Sequence, residues 1–301
     1  MKYNKIYDVA CIGNYTKDTI TSPAGTRYVD GGAINYAAHA IARLGLPVVV
    51  VTHLAKEDQR VIEKFTSSGI DSCPTYTDES TCMHLDYPTD DPDQRTLSVT
   101  GLAGSITPQE VDHIDTKAAV IGSSLRGEVG LDVIRSLHDR NIPVAVDVQG
   151  FVRVLRGQTL INEPWEGMEE TLKFVDYVKA DAVEAESLTG EADIYKAAHA
   201  FLSMGPGEIV ITHKNGVLVY TGKESFDRPF YPQNLSGRSG RGDTCIGTYV
   251  AKRLTSSPDE ASIWAAAVTS LKMEKSSPFD RPLSDVEALI NARYDHGGEL
   301  Q

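Results

Sequence analysis

The 301-residue sequence has little cysteine and no apolar run of membrane length. Its four cysteines form no CxxC pair and show no His/Cys ligand spacing, which argues against a structural zinc site and predicts reduced thiols in a cytoplasmic protein. Residues 1–8 are polar, so we expect no signal peptide. The sequence also lacks a GxGxxG motif after its first candidate strand and a Walker A Gly-Lys-Ser/Thr, which argues against an NAD-dependent Rossmann enzyme and a P-loop.

Basic residues are outnumbered, with 29 Lys and Arg against 42 Asp and Glu and a formal net charge of −13. This excess of negative charge argues against nucleic acid and membranes as partners, although local backbone donors can still bind phosphates. No repeat, coiled-coil heptad or low-complexity linker divides the sequence. We therefore expect one domain spanning residues 1–301.

Short apolar runs alternate with amphipathic stretches along most of the sequence. This alternation predicts an α/β fold with a mainly parallel central sheet and helices on both faces. The candidate strands are residues 6–12, 48–52, 119–122, 144–148, 177–179, 209–212 and 217–220, and the candidate helices are residues 32–44, 58–68, 128–140, 182–188, 194–204, 243–254, 258–274 and 284–292. Two polar segments, at about 15–30 and 75–99, interrupt this alternation of strands and helices. They predict strands of a small inserted β lid, with surface loops as the alternative.

Three glycines precede a helical pattern in the segment Ser236-Gly-Arg-Ser-Gly-Arg-Gly-Asp-Thr. Glycines let successive amides turn toward one point, and the helix N-terminus adds its partial positive charge, a combination that binds phosphate. Asp243 then lies in the first turn of the helix. It either activates an acceptor hydroxyl as a base or caps the helix, and the spacing alone does not decide between these roles.

This run resembles the C-terminal signature of the ribokinase-like (PfkB) carbohydrate kinase family. The resemblance implies that Asp243 is the base. It also implies that the amides of Gly240, Arg241 and Gly242 stabilise the phosphoryl group during in-line transfer.

The loop also departs from the family pattern. Relatives usually carry Asp-Thr-Thr ahead of their glycine loop, where this sequence has Gly237-Arg238-Ser239. The missing Asp removes a carboxylate from the region where family members bind a monovalent cation. The resemblance therefore does not extend to activation by such an ion. Arg238 and Arg241 replace small or neutral residues, and we expect them to clamp phosphate on the donor side.

A second family signature, Gly-Gly with an Asn three residues on, is matched by Gly31-Gly32-Ala33-Ile34-Asn35. The resemblance implies that Gly31, Gly32 and Asn35 bind substrate and that Asp18 holds its hydroxyls. If the resemblance is set aside, the alternative is that Gly31 and Gly32 form an ordinary glycine turn with Asn35 as a local cap, and that Asp18 is a solvated acid in a turn. Arg126, after a central strand, is a candidate for a substrate phosphate or carboxylate, with a surface arginine as the alternative.

The metal and nucleotide contacts are also implied by resemblance. Residues 178–186 resemble the Asn-x-x-Glu motif, which implies Mg²⁺ at Glu184 and at Asp181, the latter in the usual place of Asn. The alternative is a helix-start Asp with an exposed Glu. Residues 211–219 resemble the strand–turn–strand that contacts nucleotide, through Thr212, Lys214 and Gly216. Residues 265–270 resemble the adenine-side wall, with ordinary helix packing as the alternative.

The order of these motifs implies a kinase that uses ATP and Mg²⁺ to phosphorylate a hydroxyl of a small sugar or polyol. Tyr36, His84 and Tyr87 are candidates to line its pocket. A nucleoside kinase of the same family and a catalytically silent ligand-binding member are the alternatives. Because inserted strands leave exposed edges, a homodimer through the lid is a further expectation.

Overall fold

Two β-sheets organise the computed structural model, which describes residues 5–89 and 96–294. The strands are β1 (Ile6–Ile12), β2 (Thr16–Ser22), β3 (Gly25–Gly31), β4 (Val48–Ala55), β5 (Asp71–Thr77), β6 (Thr81–Asp86), β7 (Thr96–Gly101), β8 (Asp115–Ile121), β9 (Val144–Asp147), β10 (Arg153–Arg156), β11 (Thr159–Asn162), β12 (Tyr177–Asp181), β13 (Glu208–Thr212), β14 (Gly216–Tyr220) and β15 (Ser225–Pro229). The helices are α1 (Ala33–Arg43), α2 (Arg60–Ser67), α3 (Pro108–Val111), α4 (Leu131–Asp139), α5 (Gln149–Val152), α6 (Met168–Leu172), α7 (Ala182–Thr189), α8 (Ile194–Leu202), α9 (Arg241–Arg253), α10 (Pro258–Lys272) and α11 (Leu283–Arg293).

The larger sheet has the strand order β15-β14-β13-β12-β9-β8-β1-β4-β5. Its strands from β5 to β13 pair parallel, and β14 and β15 complete one edge in antiparallel fashion. The central strands are apolar along their whole length, as in β4, where every residue is buried. Such strands require cover on both faces. Helices α4, α7 and α8 pack on one face and α1, α2, α9 and α10 on the other, which confirms the predicted fold class.

The smaller sheet has the strand order β10-β11-β7-β6-β2-β3. Its inner face buries a separate apolar cluster, made of Ile20, Met83, Leu85, Val99, Leu125 and Leu160. Both predicted inserts contribute strands to this sheet, although residues 90–95 of the second lie outside the described residues. Residues 75–77 belong instead to β5 of the larger sheet, paired with β4. The hairpin of β10 and β11 is a third contribution, which the sequence reasoning missed.

The loops that precede several helices lie at one edge of the larger sheet. Helix α4 begins at Leu131, three residues later than predicted. Glu128 lies in the loop before it and accepts from the amide of Ser124 in the same loop and from the amide of Asn14 after β1. Helix α9 begins at Arg241, two residues earlier than predicted. The carboxyl ends of parallel strands share an edge, and ligands bind there in open α/β sheets. Within the described residues, no helix is long and apolar enough to cross a membrane.

Candidate active site

Asp243 lies in the first turn of α9, directly after the glycine loop. The N-cap of this helix is Gly240, in the left-handed conformation with φ 76°, and an added Cβ there would overlap the Tyr36 ring. Among the described residues, Asp243 makes no hydrogen bond that would cap α9. The geometry therefore gives no support to a helix-capping role and leaves the carboxylate available for chemistry.

The surroundings of Asp243 make it a stronger base than an ordinary carboxylate. Burial raises its pKa to about 6, and the nearby carboxylate of Asp147 adds to the rise, while Lys179, Arg153 and Lys272 oppose it. A carboxyl group with this pKa is ionised at neutral pH and still accepts a proton more readily than an exposed acid. This electrostatic setting suits general-base chemistry.

A buried ion pair lies beneath the glycine loop. Lys179 on β12 and Asp147 on β9 are register partners, with their side chains 5% and 3% exposed and Lys179 Nζ 2.8 Å from Asp147 Oδ2. Burial opposes the charge of Lys179, but the carboxylates of Asp147, Glu184 and Asp243 outweigh it and raise its pKa. A Cβ added at Gly242 would lie 2.5 Å from Lys179 Nζ, so only glycine lets the loop approach this ammonium. The loop thus rests on a fixed positive charge.

Asp181 and Glu184 face each other at the start of α7. The amide of Glu184 donates to Asp181 Oδ1 and the amide of Asp181 to Glu184 Oε2, both at 2.8 Å, so one oxygen of each carboxylate serves this capping box. Glu184 is buried, unlike the exposed Glu of the alternative interpretation, and burial raises its pKa to about 7.

The second oxygens of Asp181 and Glu184 make a donor set that fits Mg²⁺. This ion commonly takes one or two protein carboxylates and completes its shell with water and substrate phosphate. The part of the chain that the structure describes holds no group of three or more His, Cys, Asp or Glu side chains suited to a metal. A metal here would therefore take its remaining ligands from phosphate and water.

A cavity of about 480 Å³ opens between the smaller sheet and the glycine loop. Its lining includes Asp18, Tyr36, Leu85, Tyr87, Gly237, Arg238 and Ser239. Asp18 is half-buried and burial raises its pKa to about 6, while its Oδ1 atom is buried without a hydrogen-bond partner. A buried acceptor without a donor is costly, and a ligand hydroxyl would satisfy it. Burial raises the pKa of Tyr36, and the charges of Asp18 and Asp243 add to the rise, so both acids lie near this side chain.

The predicted substrate residues do not all meet at this cavity. Gly31 lies so close to Asp18 that an added Cβ would overlap its carboxylate. Gly32 is the N-cap of α1. The Asn35 side chain donates to the carbonyl of Asp30 at 2.8 Å and lines a different cavity, of about 350 Å³. The sequence reasoning missed Arg153, whose charge acts on both Asp18 and Asp243.

Arg126 and His84 are directed elsewhere. The Arg126 guanidinium donates to the carbonyls of Phe151, Glu163 and Pro164, so it ties down the segment around β10 and β11 instead of facing the cavity. His84 alternates with Leu85 along β6, and its Nε2 atom lies 2.9 Å from Thr21 Oγ1. Because Leu85 faces the cavity, His84 points to the opposite side of the sheet.

The predicted nucleotide residues lie around the turn between β13 and β14. Thr212 is buried with its hydroxyl unpartnered, Gly216 is buried, and Lys214 is exposed. Of the loop arginines, Arg241 is half-buried, and both burial and Arg238 lower its pKa. The backbone N–H of Arg241 donates to the carbonyl of Arg238 at 3.3 Å, so this amide, predicted to bind the phosphoryl group, is engaged within the turn.

The predicted adenine wall is covered by the protein itself. Residues 265–270 of α10 are each fully buried. The amide of Tyr231 donates to Ser270 Oγ at 2.9 Å, and the Tyr231 ring packs against Tyr294, with 5.4 Å between ring centroids. This face of α10 thus behaves as an ordinary packed helix.

Comparisons with known proteins bear on the family and the fold of this chain. The family of pfkB carbohydrate kinases matches residues 2–282 of this chain. A pyrophosphate-dependent kinase in the ribokinase family is 31% identical, with a TM-score of 0.87 over 93% of this chain and 99% of that one. A structure that describes the conversion of a pyrophosphate-dependent myo-inositol-1 kinase into a myo-inositol-3 kinase by two substitutions is 30% identical, with a TM-score of 0.86 over 95% of this chain and 99% of that one. A ribokinase of Arabidopsis thaliana, complexed with ribose and ATP, is 16% identical, with a TM-score of 0.77 over 95% and 99%, a likeness of fold.

Proposed function

Since the chain belongs to the pfkB family of carbohydrate kinases, we propose that it transfers a phosphoryl group to a hydroxyl of a small sugar or polyol, with Asp243 as the base. The observation that carries this proposal is the position of Asp243, a carboxylate of raised pKa that directly follows the glycine loop. It lies close enough to Tyr36, which lines the 480 Å³ cavity, to raise the pKa of that side chain. A cavity of this size suits one small molecule. Asp18, with its unpartnered oxygen, is proposed to accept a hydrogen bond from an acceptor hydroxyl.

In the proposed reaction the acceptor hydroxyl gives its proton to the Asp243 carboxylate. Its oxygen forms a bond to the transferred phosphorus while the bridging P–O bond of the donor breaks, and the donor's remaining phosphate leaves. The amides of Gly240 and Gly242 and the N-terminus of α9 are proposed to face the phosphoryl oxygens. Lys179 and Arg241 supply positive charge nearby. Mg²⁺ held by Asp181 and Glu184 would neutralise charge on the donor phosphates.

For the donor we propose inorganic pyrophosphate. An adenine ring needs an apolar surface that the free protein leaves open, whereas residues 265–270 are fully buried. The relatives at 30–31% identity are pyrophosphate-dependent. Arg238 and Arg241 add charge that suits a donor made only of phosphate. In this proposal Thr212, Lys214 and Gly216 face the phosphate side of the donor. ATP, which the sequence predicts, is the competing donor.

For the acceptor we propose a cyclic polyol, because two of the similar structures are kinases described with myo-inositol. The cavity lining joins one carboxylate and several hydroxyls to apolar side chains such as Leu85 and Ile20. Carboxylate and hydroxyl groups match the hydroxyls of a polyol, and the apolar side chains match its C–H faces.

The test is phosphotransfer by the purified protein with Mg²⁺, comparing pyrophosphate and ATP across inositols, pentoses, hexoses and nucleosides. We expect a phosphorylated polyol with pyrophosphate as donor. Asp243→Asn should lower kcat by about 10²- to 10⁴-fold, the usual contribution of a general base. The control is Asp193→Asn, because Asp193 caps α8 by accepting from the amides of Tyr195 and Lys196.

The base role of Asp243 and the identity of the donor can be refuted independently of each other. The Asp193→Asn control should leave kcat unchanged and stability nearly so, because asparagine caps a helix about as well as aspartate. An Asp243→Asn variant that keeps its kcat would overturn the base role. Faster turnover with ATP than with pyrophosphate would overturn the donor assignment. Turnover of nucleosides alone would favour a nucleoside kinase, and binding without turnover of any pair would favour a silent member of the family.

A further inference from the structure

Lys272, the last residue of α10, places its ammonium group inside the protein beside the glycine loop. The residue is 1% exposed. Its Nζ donates to the carbonyl of Gly237 at 2.9 Å and to the carbonyl of Lys275 at 3.0 Å. It also lies 5.0 Å from the centroid of the Tyr36 ring. Among the described residues, no carboxylate lies within ion-pair distance of this ammonium.

The two carbonyls belong to different parts of the chain. Gly237 precedes the glycine loop, and Lys275 follows α10. The same segments are also joined by the Gly237 amide, which donates to the carbonyl of Met273 at 2.8 Å. They approach so closely that a Cβ at Gly237 would overlap the carbonyl of Lys275. The ammonium therefore fastens the loop that carries Asp243 to the end of α10.

Two carbonyl oxygens and the face of an aromatic ring form an environment that binds a positive charge through dipoles and a ring quadrupole. A free monovalent cation would be bound in the same way. The difference is that the lysine stem keeps the ammonium group at the site, since a tethered group has a high effective concentration there.

We propose that Lys272 is a built-in cation, which holds the glycine loop in place of a bound monovalent ion and makes the enzyme independent of such ions. Lys272 is a positioning residue, because its ammonium acts on the loop through Gly237 and does not touch the reacting atoms. The activity measurement for this inference rests on the proposed kinase function, whereas the stability measurement does not.

The first test measures kcat at equal ionic strength in tetramethylammonium, ammonium, potassium or sodium chloride. The wild-type protein should vary by less than about twofold, because its site is already filled. Lys272→Met should lose about 10- to 100-fold in kcat in tetramethylammonium, the size expected for lost charge-assisted hydrogen bonds. Ammonium or potassium should restore much of this loss in a saturable way. Lys272→Arg, which keeps the charge, should need no added ion.

A matched control is Lys252→Met. The ammonium of Lys252 also lies over an aromatic ring, 3.8 Å from the Trp264 centroid, but at the opposite end of α9 from Asp243. This variant should keep its kcat and gain no dependence on monovalent ions. Dependence in the control would show a general salt effect and overturn the assignment to Lys272.

The second test is the thermal unfolding temperature, which needs no substrate. Ammonium or potassium should raise the Tm of Lys272→Met, and of Lys272→Gln as a second uncharged variant, above the value in tetramethylammonium, because an ion bound to the native state stabilises it by mass action. The wild-type Tm should not respond. Full kcat of Lys272→Met without added ions, or failure of every small cation to restore both kcat and Tm, would overturn the inference. Failure of the kinase proposal alone would leave the Tm result standing.

Discussion

Replacing Lys179 by methionine should destabilise the protein strongly, because its ammonium is the partner of a buried carboxylate. Lys179 Nζ lies 2.8 Å from Asp147 Oδ2, and the two side chains are 5% and 3% exposed. At an effective dielectric constant of about 20, the Coulomb attraction over this distance is about 6 kcal/mol. The desolvation of both ions offsets part of it. Removal of one partner leaves a buried charge unpaired, so we expect Lys179→Met to cost about 3–5 kcal/mol.

The measurement is the free energy of unfolding from urea titrations followed by tryptophan fluorescence. Lys117→Met is the matched control, because Lys117 Nζ lies 2.6 Å from Asp8 Oδ1 but the side chain is 60% exposed. Exposed pairs of this kind contribute about 0–1 kcal/mol. The double variant Lys179→Met/Asp147→Asn should be more stable than Lys179→Met alone, since position 147 then no longer carries an unpaired buried charge. Its kcat should stay low, because the cation beneath Gly242 is still missing.

Two results would refute this reasoning. A cost of Lys179→Met no greater than that of Lys117→Met would mean that Asp147 is not left as an unpaired buried ion. A cost of the double variant equal to the sum of the costs of Lys179→Met and Asp147→Asn would mean that Lys179 and Asp147 do not interact energetically. Recovery of full kcat in the double variant would refute the catalytic part alone.

Three further predictions concern the pH dependence of activity, the pH dependence of stability and the arginines. Below the Asp243 pKa of about 6, kcat/KM should fall about tenfold per pH unit, and Asp243→Asn should lack this limb. Burial also raises the pKa of Glu128 to about 7. Protonation of these two acids favours the folded state, so their contribution to the free energy of unfolding is complete below pH about 4 and is lost as pH rises through 6 and 7. The urea midpoint should therefore fall across that window. Arg241→Ala should raise the donor KM or lower kcat, whereas Arg126→Ala should lower Tm and leave both unchanged. The reverse pattern would contradict the contacts described.

The larger sheet was predictable because its strands carry a strong local signal. Continuous apolar runs such as β4 fit only strands that are covered on both faces. The hairpin of β10 and β11 was missed because its strands have four residues each and follow β9, where the α/β rhythm predicts a helix. The end of β5 was assigned to the lid because its polar composition and Pro74 are typical of an edge or a loop, and β5 is an edge strand of the larger sheet.

The candidate site also combines residues that the sequence predicts with residues that it does not. Asp18, Gly240 and Asp243 were predicted because each lies in a local motif, and the charges of Asp18 and Asp243 both act on Tyr36 in the structure. Lys179 and Asp147 are far apart in sequence and meet only through the register of β12 on β9, which no local pattern encodes. Lys272 is hidden for another reason. A lysine in the last turn of a helix is ordinarily explained by the helix dipole, so its inward direction carries no sequence signal.

The smaller sheet has a consequence for the order in which the protein folds. Its strands come from three distant stretches, residues 16–31, 81–101 and 153–162, which follow β1, β5 and β9 of the larger sheet. Pairings between distant segments cost loop-closure entropy before they gain contacts, so they form after the strands that bring them together. The side of the cavity formed by the smaller sheet is therefore expected to assemble last and to exchange its amide hydrogens first. Helix α9, which carries Asp243 and packs against the larger sheet, stays in place while this side of the cavity opens.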